Sequence, residues 1–446
     1  ERDAVELIFF PTGGGKTEAY LGLAAFAMVL RRLRDPSVQS AGLSVLMRYT
    51  LRLLTLDQLG RAATMVCALE LLRQQDIQKL GPWPFEIGLW VGQTGTPNHM
   101  GRKGDNNAYS ARARTIAFCN DSGRKPSPIP LETCPWCGWK FDKDSFKLLP
   151  NGDEPTDLRV MCKHRECAFH VRRQPRGIPI LSVDEPIYRR LPAFIVATVD
   201  KFANLPWVGE TAGLFGRVDR HDAEGFYGPM KPGRGAPLKG PLPPPDLVIQ
   251  DELHLISGPL GTMVGLYESA IDALASSVVG GDTPRPKIVA STATVRRAER
   301  QIRALFGRTA VEVFPPPGPN RRDSFFAVTV GEKERNARTY LGIAAQGRNL
   351  KVVLLRTSLA LMAAAQKAWQ ENGGDGNTKN PADPYMTLLG YFNALRELGG
   401  SRRIVEDEVK ARLVDYEFRR RRVGEGAGLF SNRPRWSEPR ELTSRV

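Results

Sequence analysis

The sequence predicts an α/β protein: a RecA-like parallel sheet with helices on both faces, an inserted zinc-ribbon-like module, and the start of a second RecA-like lobe. Three observations carry that prediction. A glycine loop, Phe9-Phe10-Pro11-Thr12-Gly13-Gly14-Gly15-Lys16-Thr17, follows a short apolar run of Val5, Leu7, Ile8 and Phe9. A second apolar run, Leu247-Val248-Ile249-Gln250, ends in Asp251-Glu252-Leu253-His254. Between the two, apolar strands alternate with Ala- and Leu-rich helical stretches, the rhythm of a parallel sheet covered by helices.

In order along the chain, a helix is expected over 18–34 and a strand over 43–47, with Arg48-Tyr49-Thr50-Leu51-Arg52 at its carboxyl end. Ligands of open α/β sheets are met at that edge. Arg48, Tyr49, Thr50 and Arg52 suit phosphate oxygens and one stacked base, although an ordinary exposed turn would read the same way. A strand over 87–91 precedes Gly92-Gln93-Thr94-Gly95-Thr96-Pro97-Asn98, and Ile195-Val196-Ala197-Thr198-Val199-Asp200-Lys201-Phe202 repeats the strand-then-polar-turn arrangement. By resemblance to superfamily 2 helicases, Thr198 and Lys201 would stand where backbone-contacting residues are placed, although such a turn reads equally as structural. The stretch 225–245 is dense in Gly and Pro and reads as a long surface loop without regular structure. Ala290-Ser291-Thr292-Ala293-Thr294 follows the apolar pair Ile288 and Val289. Pro315-Pro316-Pro317-Gly318-Pro319 marks a boundary, after which a strand is expected over 349–355 and a helix over 358–370. The resulting domains are 1–118 and 179–312 for the first lobe, 119–178 for the metal module, 313–348 for a linker, and 349–446 for an incomplete second lobe.

The loop and the acid strand imply hydrolysis of a nucleoside triphosphate. Successive glycines let backbone N–H groups converge on phosphate oxygens with no side chain in the way. Thr12, Gly13, Gly14, Gly15, Lys16, Thr17 and Glu18 form the candidate ATP site, with the following helix adding its positive end. Lys16 supplies a charge to the β- and γ-phosphates, and the Thr17 hydroxyl is a Mg²⁺ ligand. Asp251 would hold the same magnesium, directly or through water, and Glu252 would orient and deprotonate the attacking water. His254 would link this site to the strand below or to the second lobe. Ser291-Thr292-Ala293-Thr294 resembles the S/T-A-T motif III of helicases, and that resemblance implies that Ser291, Thr292 and Thr294 couple the acid site to a nucleic-acid track.

Four of the six cysteines cluster, as Cys134-Pro135-Trp136-Cys137 and Cys162-Lys163-His164-Arg165-Glu166-Cys167. Two such turns complete a tetrahedral Zn²⁺ site, and the 24 residues between the pairs suffice for a β-hairpin. The second spacing is loose, so His164 or His170 stands as an alternative ligand. The module reads as structural, and the cations around it read equally as nucleic-acid surface or solvated face. Cys67 is expected in a helix core.

With 446 residues the chain has length for two or three domains, and no stretch is apolar enough to span a membrane. Lys and Arg number 63 against 48 Asp and Glu, a formal +15 that favours a polyanion partner. The chain opens on Glu1 without a signal-peptide pattern, so it reads as a cytoplasmic fragment of something larger.

The glycine loop carries Phe10 where the general phosphate-loop pattern has glycine, and it resembles the looser P-T-G-x-G-K-T form of superfamily 2 helicases. The acid segment through Leu255-Ile256-Ser257-Gly258-Pro259-Leu260-Gly261, with Arg48-Tyr49-Thr50-Leu51-Arg52-Leu53-Leu54, Tyr391-Phe392-Asn393-Ala394-Leu395-Arg396 and the closing Glu441-Leu442-Thr443-Ser444-Arg445-Val446, resembles the DrmA-type helicases of bacterial DISARM phage-defence systems. The resemblance runs from the glycine loop to the last residue. It implies DNA as substrate, an ATP-dependent DExH helicase or translocase in anti-phage defence, a DUF1998-type partner protein (DrmB), and further chain on both sides. Two alternatives stay open on the residues alone: a DExH RNA helicase, or a DNA-binding scaffold switched by ATP without unwinding.

Overall fold

The computed structural model describes residues 2–9, 15–49, 52–93, 95–228, 235–256, 258–276, 284–292, 298–316, 323, 328–335, 339–421, 428–435 and 437–443. It divides into two compact units, Glu1–Thr329 and Val330–Val446.

The first unit is built on one parallel sheet. Its strands among the described residues are β1 (Ala4–Ile8), β2 (Val45–Tyr49), β3 (Ile87–Trp90), β4 (Ile180–Leu181), β5 (Phe194–Thr198), β6 (Leu247–Gln250), β7 (Lys287–Ser291) and β8 (Ala310–Phe314). They lie in the order β8-β1-β7-β6-β2-β5-β3-β4, every neighbour parallel. Because β8 pairs with β1 along its whole length, the sheet runs past position 312, where the sequence suggested a boundary.

Alternation along these strands sends side chains to two cores. Val45, Met47, Phe194, Val196, Leu247 and Ile249 join Tyr20, Ala24 and Met28 of helix α1 (Lys16–Arg34) and Leu59, Ala63 and Val66 of helix α2 (Arg52–Gln75). Leu46, Ile195, Ala197, Val248, Ile288 and Ala290 join Val264 and Ile271 of helix α3 (Gly258–Ala275) and Ile302 and Leu305 of helix α4 (Ala298–Phe306). Both faces are thus covered, which is why β5 and β6 carry buried residues at every position. Cys67 lies in the first core, on α2.

The expected metal module is an antiparallel hairpin, Phe146–Leu149 against Asp157–Val160, and its Phe141, Phe146 and Phe169 merge with the α1–α2 core. The Gly/Pro-rich stretch is not wholly irregular. Phe226–Tyr227 and Ala236–Pro237 flank Arg220–His221 in a small antiparallel sheet, while 229–234 lie outside the described residues. The close approaches need glycine: at Gly216 (φ +80°) an added Cβ would sit 2.0 Å from the Leu242 carbonyl oxygen.

The second unit differs from expectation. The strand anticipated over 349–355 is the opening of a long helix, Leu350–Glu371, capped by the Asn349 side chain on the Lys351 N–H. Its Leu359, Met362 and Ala363 pack with Val409, Leu413 and Tyr416, and no strand occurs among the described residues of this unit. Val352 and Val353 are β-branched and locally favour a strand, but the run 350–370 has apolar residues on a helical stripe long enough to override that preference. No helix among the described residues is long and apolar enough to cross a membrane.

Candidate nucleotide site and cysteine cluster

The strand order decides the site. β1 leads into the glycine loop, β6 ends at Gln250 just before Asp251, and β7, which ends at Ser291, lies between them. All three run parallel, so their carboxyl ends emerge on one edge. Of the loop, Gly15, Lys16 and Thr17 are described; Thr12, Gly13 and Gly14 lie outside the described residues. Gly15 takes φ +83°, a left-handed turn that starts α1 at Lys16.

Side chains from these elements converge. The Thr17 hydroxyl lies 3.0 Å from the hydroxyl of Tyr20, and Tyr20 donates to Asp251 Oδ2 at 3.0 Å. The Glu252 N–H donates to Asp251 Oδ1 at 3.0 Å, and the Ser291 hydroxyl donates to the same oxygen. Glu252 holds φ +48° and ψ +48°, rare for a residue with a side chain. Its carboxylate meets His254 Nδ1 at 3.3 Å, and His254 Nδ1 lies 3.4 Å from the Thr292 hydroxyl. Gln301 of α4 donates to the Leu253 and Ile256 carbonyls, which pins the turn carrying His254. Glu18 pairs with Arg61 on the exposed side of α1.

The structure therefore brings together Thr17, Asp251, Glu252, His254, Ser291 and Thr292, with Lys16 one residue from Thr17. Thr294 lies outside the described residues. The sequence reading missed Tyr20 and Gln301. Tyr20 had a signal: it stands three residues after Thr17 on the apolar stripe of α1, where a buried hydroxyl needs a partner.

The residues expected to touch nucleic acid are placed differently. Arg48 is 1% exposed, ion-paired with Glu268 of α3, with its guanidinium 5.8 Å from the Phe202 ring centre and 5.9 Å from that of Phe306. Burial raises the Glu268 carboxyl and Arg48 counters it. Lys201 is buried on Asp184 at 2.6 Å and donates to the Val91 carbonyl and to Asn98 Oδ1. Thr198 is also buried. These side chains are committed to the interior instead of an exposed track. Thr50 lies outside the described residues, as do the side chains of Tyr49 and Arg52. Asp184 is pushed up to about 6 by burial, which Lys201 only partly offsets.

The four cysteines of the hairpin meet. Their sulfurs all lie within 4.8 Å of one another, with Cys134–Cys167 at 4.0 Å and Cys137–Cys162 at 3.6 Å. A tetrahedral Zn²⁺ with Zn–S bonds of about 2.3 Å requires sulfurs roughly 3.8 Å apart, so the set fits that ion. Burial pushes the Cys134 thiol up to about 12, and Cys162 is raised for the same reason. Cys137 is lowered, because the hydrogen bonds it accepts from the Trp139 N–H and the neighbouring thiols outweigh its burial. His164 stacks on Trp139 outside the cluster, leaving the four thiols as the ligand set.

No protein-family model matches the chain. Two solved structures are distant likenesses: a DUF1998 helicase MrfA bound to DNA, at TM-score 0.32 and 11% identity over 70% of this chain and 25% of that one, and the same helicase described without DNA, at 0.30 and 12% over 71% and 28%. The sequence comparison is much stronger. The DISARM protein DrmA of Bacillus paralicheniformis is 39% identical over 467 aligned positions, which take in 100% of this chain and 39% of that protein. By sequence the chain is therefore DrmA-like along its whole length, and it spans about two fifths of the relative it matches.

Proposed function

We propose that this chain is the nucleotide-hydrolysing part of an ATP-dependent DNA helicase or translocase of the DExH type, acting in the cytoplasm in anti-phage defence. The observation that carries the reading is the Tyr20 hydroxyl, within 3.0 Å of both Thr17 and Asp251 across 231 positions of sequence. A hydroxyl and a carboxylate brought to one point beside a glycine loop match the donor set of a magnesium–triphosphate site. Magnesium, when bound, would neutralise charge on the β- and γ-phosphates. Lys16 binds the same phosphates. Glu252 orients the attacking water and accepts its proton, and His254 holds that carboxylate in place. Ser291 fixes the second oxygen of Asp251, so a strand that shifts with Thr292 would be felt at the acid site.

The DrmA-like sequence supports the defence setting and, with it, DNA as the polyanion and a DUF1998-type partner. The net charge of +15 agrees with a polyanion. The cysteine hairpin is assigned a structural Zn²⁺. The deciding experiment is Glu252→Gln, with ATP turnover and ATP binding both measured in single-stranded DNA, in RNA and without nucleic acid. Turnover should fall at least ~100-fold while binding persists, as expected when a general base is removed. Undiminished turnover would remove Glu252 from the chemistry. Stimulation by RNA alone would favour the RNA helicase, and nucleotide-gated DNA binding without turnover would favour the scaffold.

A further inference from the structure

The cysteine hairpin displays two tryptophans that its core does not absorb. Trp136 is 40% exposed and Trp139 48% exposed. Neither is loose. Trp136 meets the Phe169 ring edge-on at 5.9 Å, and Trp139 stacks on His164 at 5.0 Å with 19° between the planes. The turn bearing them is closed by Cys134 N–H to the Trp139 carbonyl at 2.8 Å and Gly138 N–H to the Cys134 carbonyl at 2.8 Å. Thr64 of α2 donates to the Pro135 carbonyl at 2.9 Å, fixing the turn to the body of the first unit. Trp139 therefore lies against the second cysteine turn and Trp136 against Phe169 just beyond it, both partly open to solvent.

That second turn carries cations. Lys163 and Arg165 flank His164 in the chain. Arg172 and Arg173 follow His170, which forms a β-bridge with Cys162 of that turn and accepts the Arg172 N–H at 3.3 Å on Nδ1. Arg165, Arg172 and Arg173 are all exposed, and Arg173 also donates to the Glu166 and Cys167 carbonyls. Planar rings held rigidly beside positive charge match the alternation of base and phosphate in an unpaired strand. An acidic peptide would use the charges and leave two indoles without a role. A duplex hides the faces of its bases.

We propose that the Trp136–Trp139 face of the cysteine hairpin is a binding platform for unpaired nucleotides, bases stacking on the indoles and phosphates meeting Lys163, Arg165 and Arg172. The platform does not depend on ATP hydrolysis.

The test is fluorescence anisotropy on this chain, without nucleotide, using labelled oligothymidylate, labelled oligouridylate and a blunt duplex. Replacing Trp136 and Trp139 by alanine should weaken single-strand binding by roughly tenfold per lost stack, leaving duplex binding nearly unchanged. Lys163→Ala with Arg165→Ala should flatten the salt dependence of strand binding. Metal content and the melting midpoint check that the hairpin is intact. Should the alanine variants fold poorly, Trp139→Phe and Trp139→Leu replace them: phenylalanine should retain binding and leucine lose it. The oligothymidylate and oligouridylate arms show which sugar the platform takes. Glu252→Gln should leave binding here unaltered, so failure of the hydrolytic reading is told apart. A folded double variant that holds single strands as tightly as the parent, or that loses strand and duplex alike, overturns the platform.

Discussion

Glu252 combines a strained backbone with the position proposed for the general base. A left-handed conformation costs a residue with a Cβ roughly 1–2 kcal/mol, and glycine escapes that cost. The surroundings hold it there through the Asp251 bond and the pinned turn of Leu253–Leu255. Glu252→Gly should therefore match or slightly exceed the parent in thermal stability, by up to about 1 kcal/mol, while losing turnover. Calorimetry alongside an ATPase assay checks this, and clear destabilisation would show that the carboxylate serves the fold. Arg48 sits at the opposite extreme. Replacing it by methionine leaves Glu268 buried without its partner, a loss on the order of 3–5 kcal/mol in denaturant unfolding. Lys201→Met should behave similarly near pH 7. Because burial raises the Asp184 pKa to about 6, folding favours its protonated form relative to the unfolded chain, although the carboxylate is ionised near pH 7. Stability from this group is present at low pH and is lost as pH rises through about 6. The cost of Lys201→Met should accordingly shrink below that pH, and a pH-independent cost would mean Asp184 is not its counterpart.

At the scale of elements, the hairpin and the Gly/Pro stretch are the two insertions whose conformation the chain must force. The hairpin has a two-stranded ladder too short to stand alone, and its cysteines tie both ends. Chelation should release about one zinc per chain and lower the melting midpoint. Purified protein without metal would reject the assignment. Gly216 ends the turn Gly209–Phe215 in a left-handed cap, with the Leu242 carbonyl where a Cβ would go. Gly216→Ala combines an unfavourable φ with a backbone clash, so a loss of more than ~2 kcal/mol is expected, read as a shift in unfolding midpoint. These segments also show where sequence reading failed. Proline density suppressed the short strands at Phe226–Tyr227 and Ala236–Pro237, which pair through only two residues each. The β-branched start of Leu350–Glu371 mimicked a strand because local preference carries no information about the length of the element.

For the whole molecule, what the amino-acid order determined by itself was local chemistry. It marked the glycine loop, the acid pair, the paired cysteines with room for a hairpin, and the alternating strands of a parallel sheet. Each of these is a short-range pattern, set by which residues are neighbours. Tertiary structure decided which patterns meet. Only the order β1-β7-β6 sets Ser291 and Asp251 side by side and lets Tyr20 span from Thr17 to that carboxylate. Only packing turned Arg48 and Lys201 inward, since the same polar turn can face solvent or a buried acid. The reason is that charge and hydrogen-bonding capacity belong to a residue, whereas its partner is chosen by the crossing of distant elements.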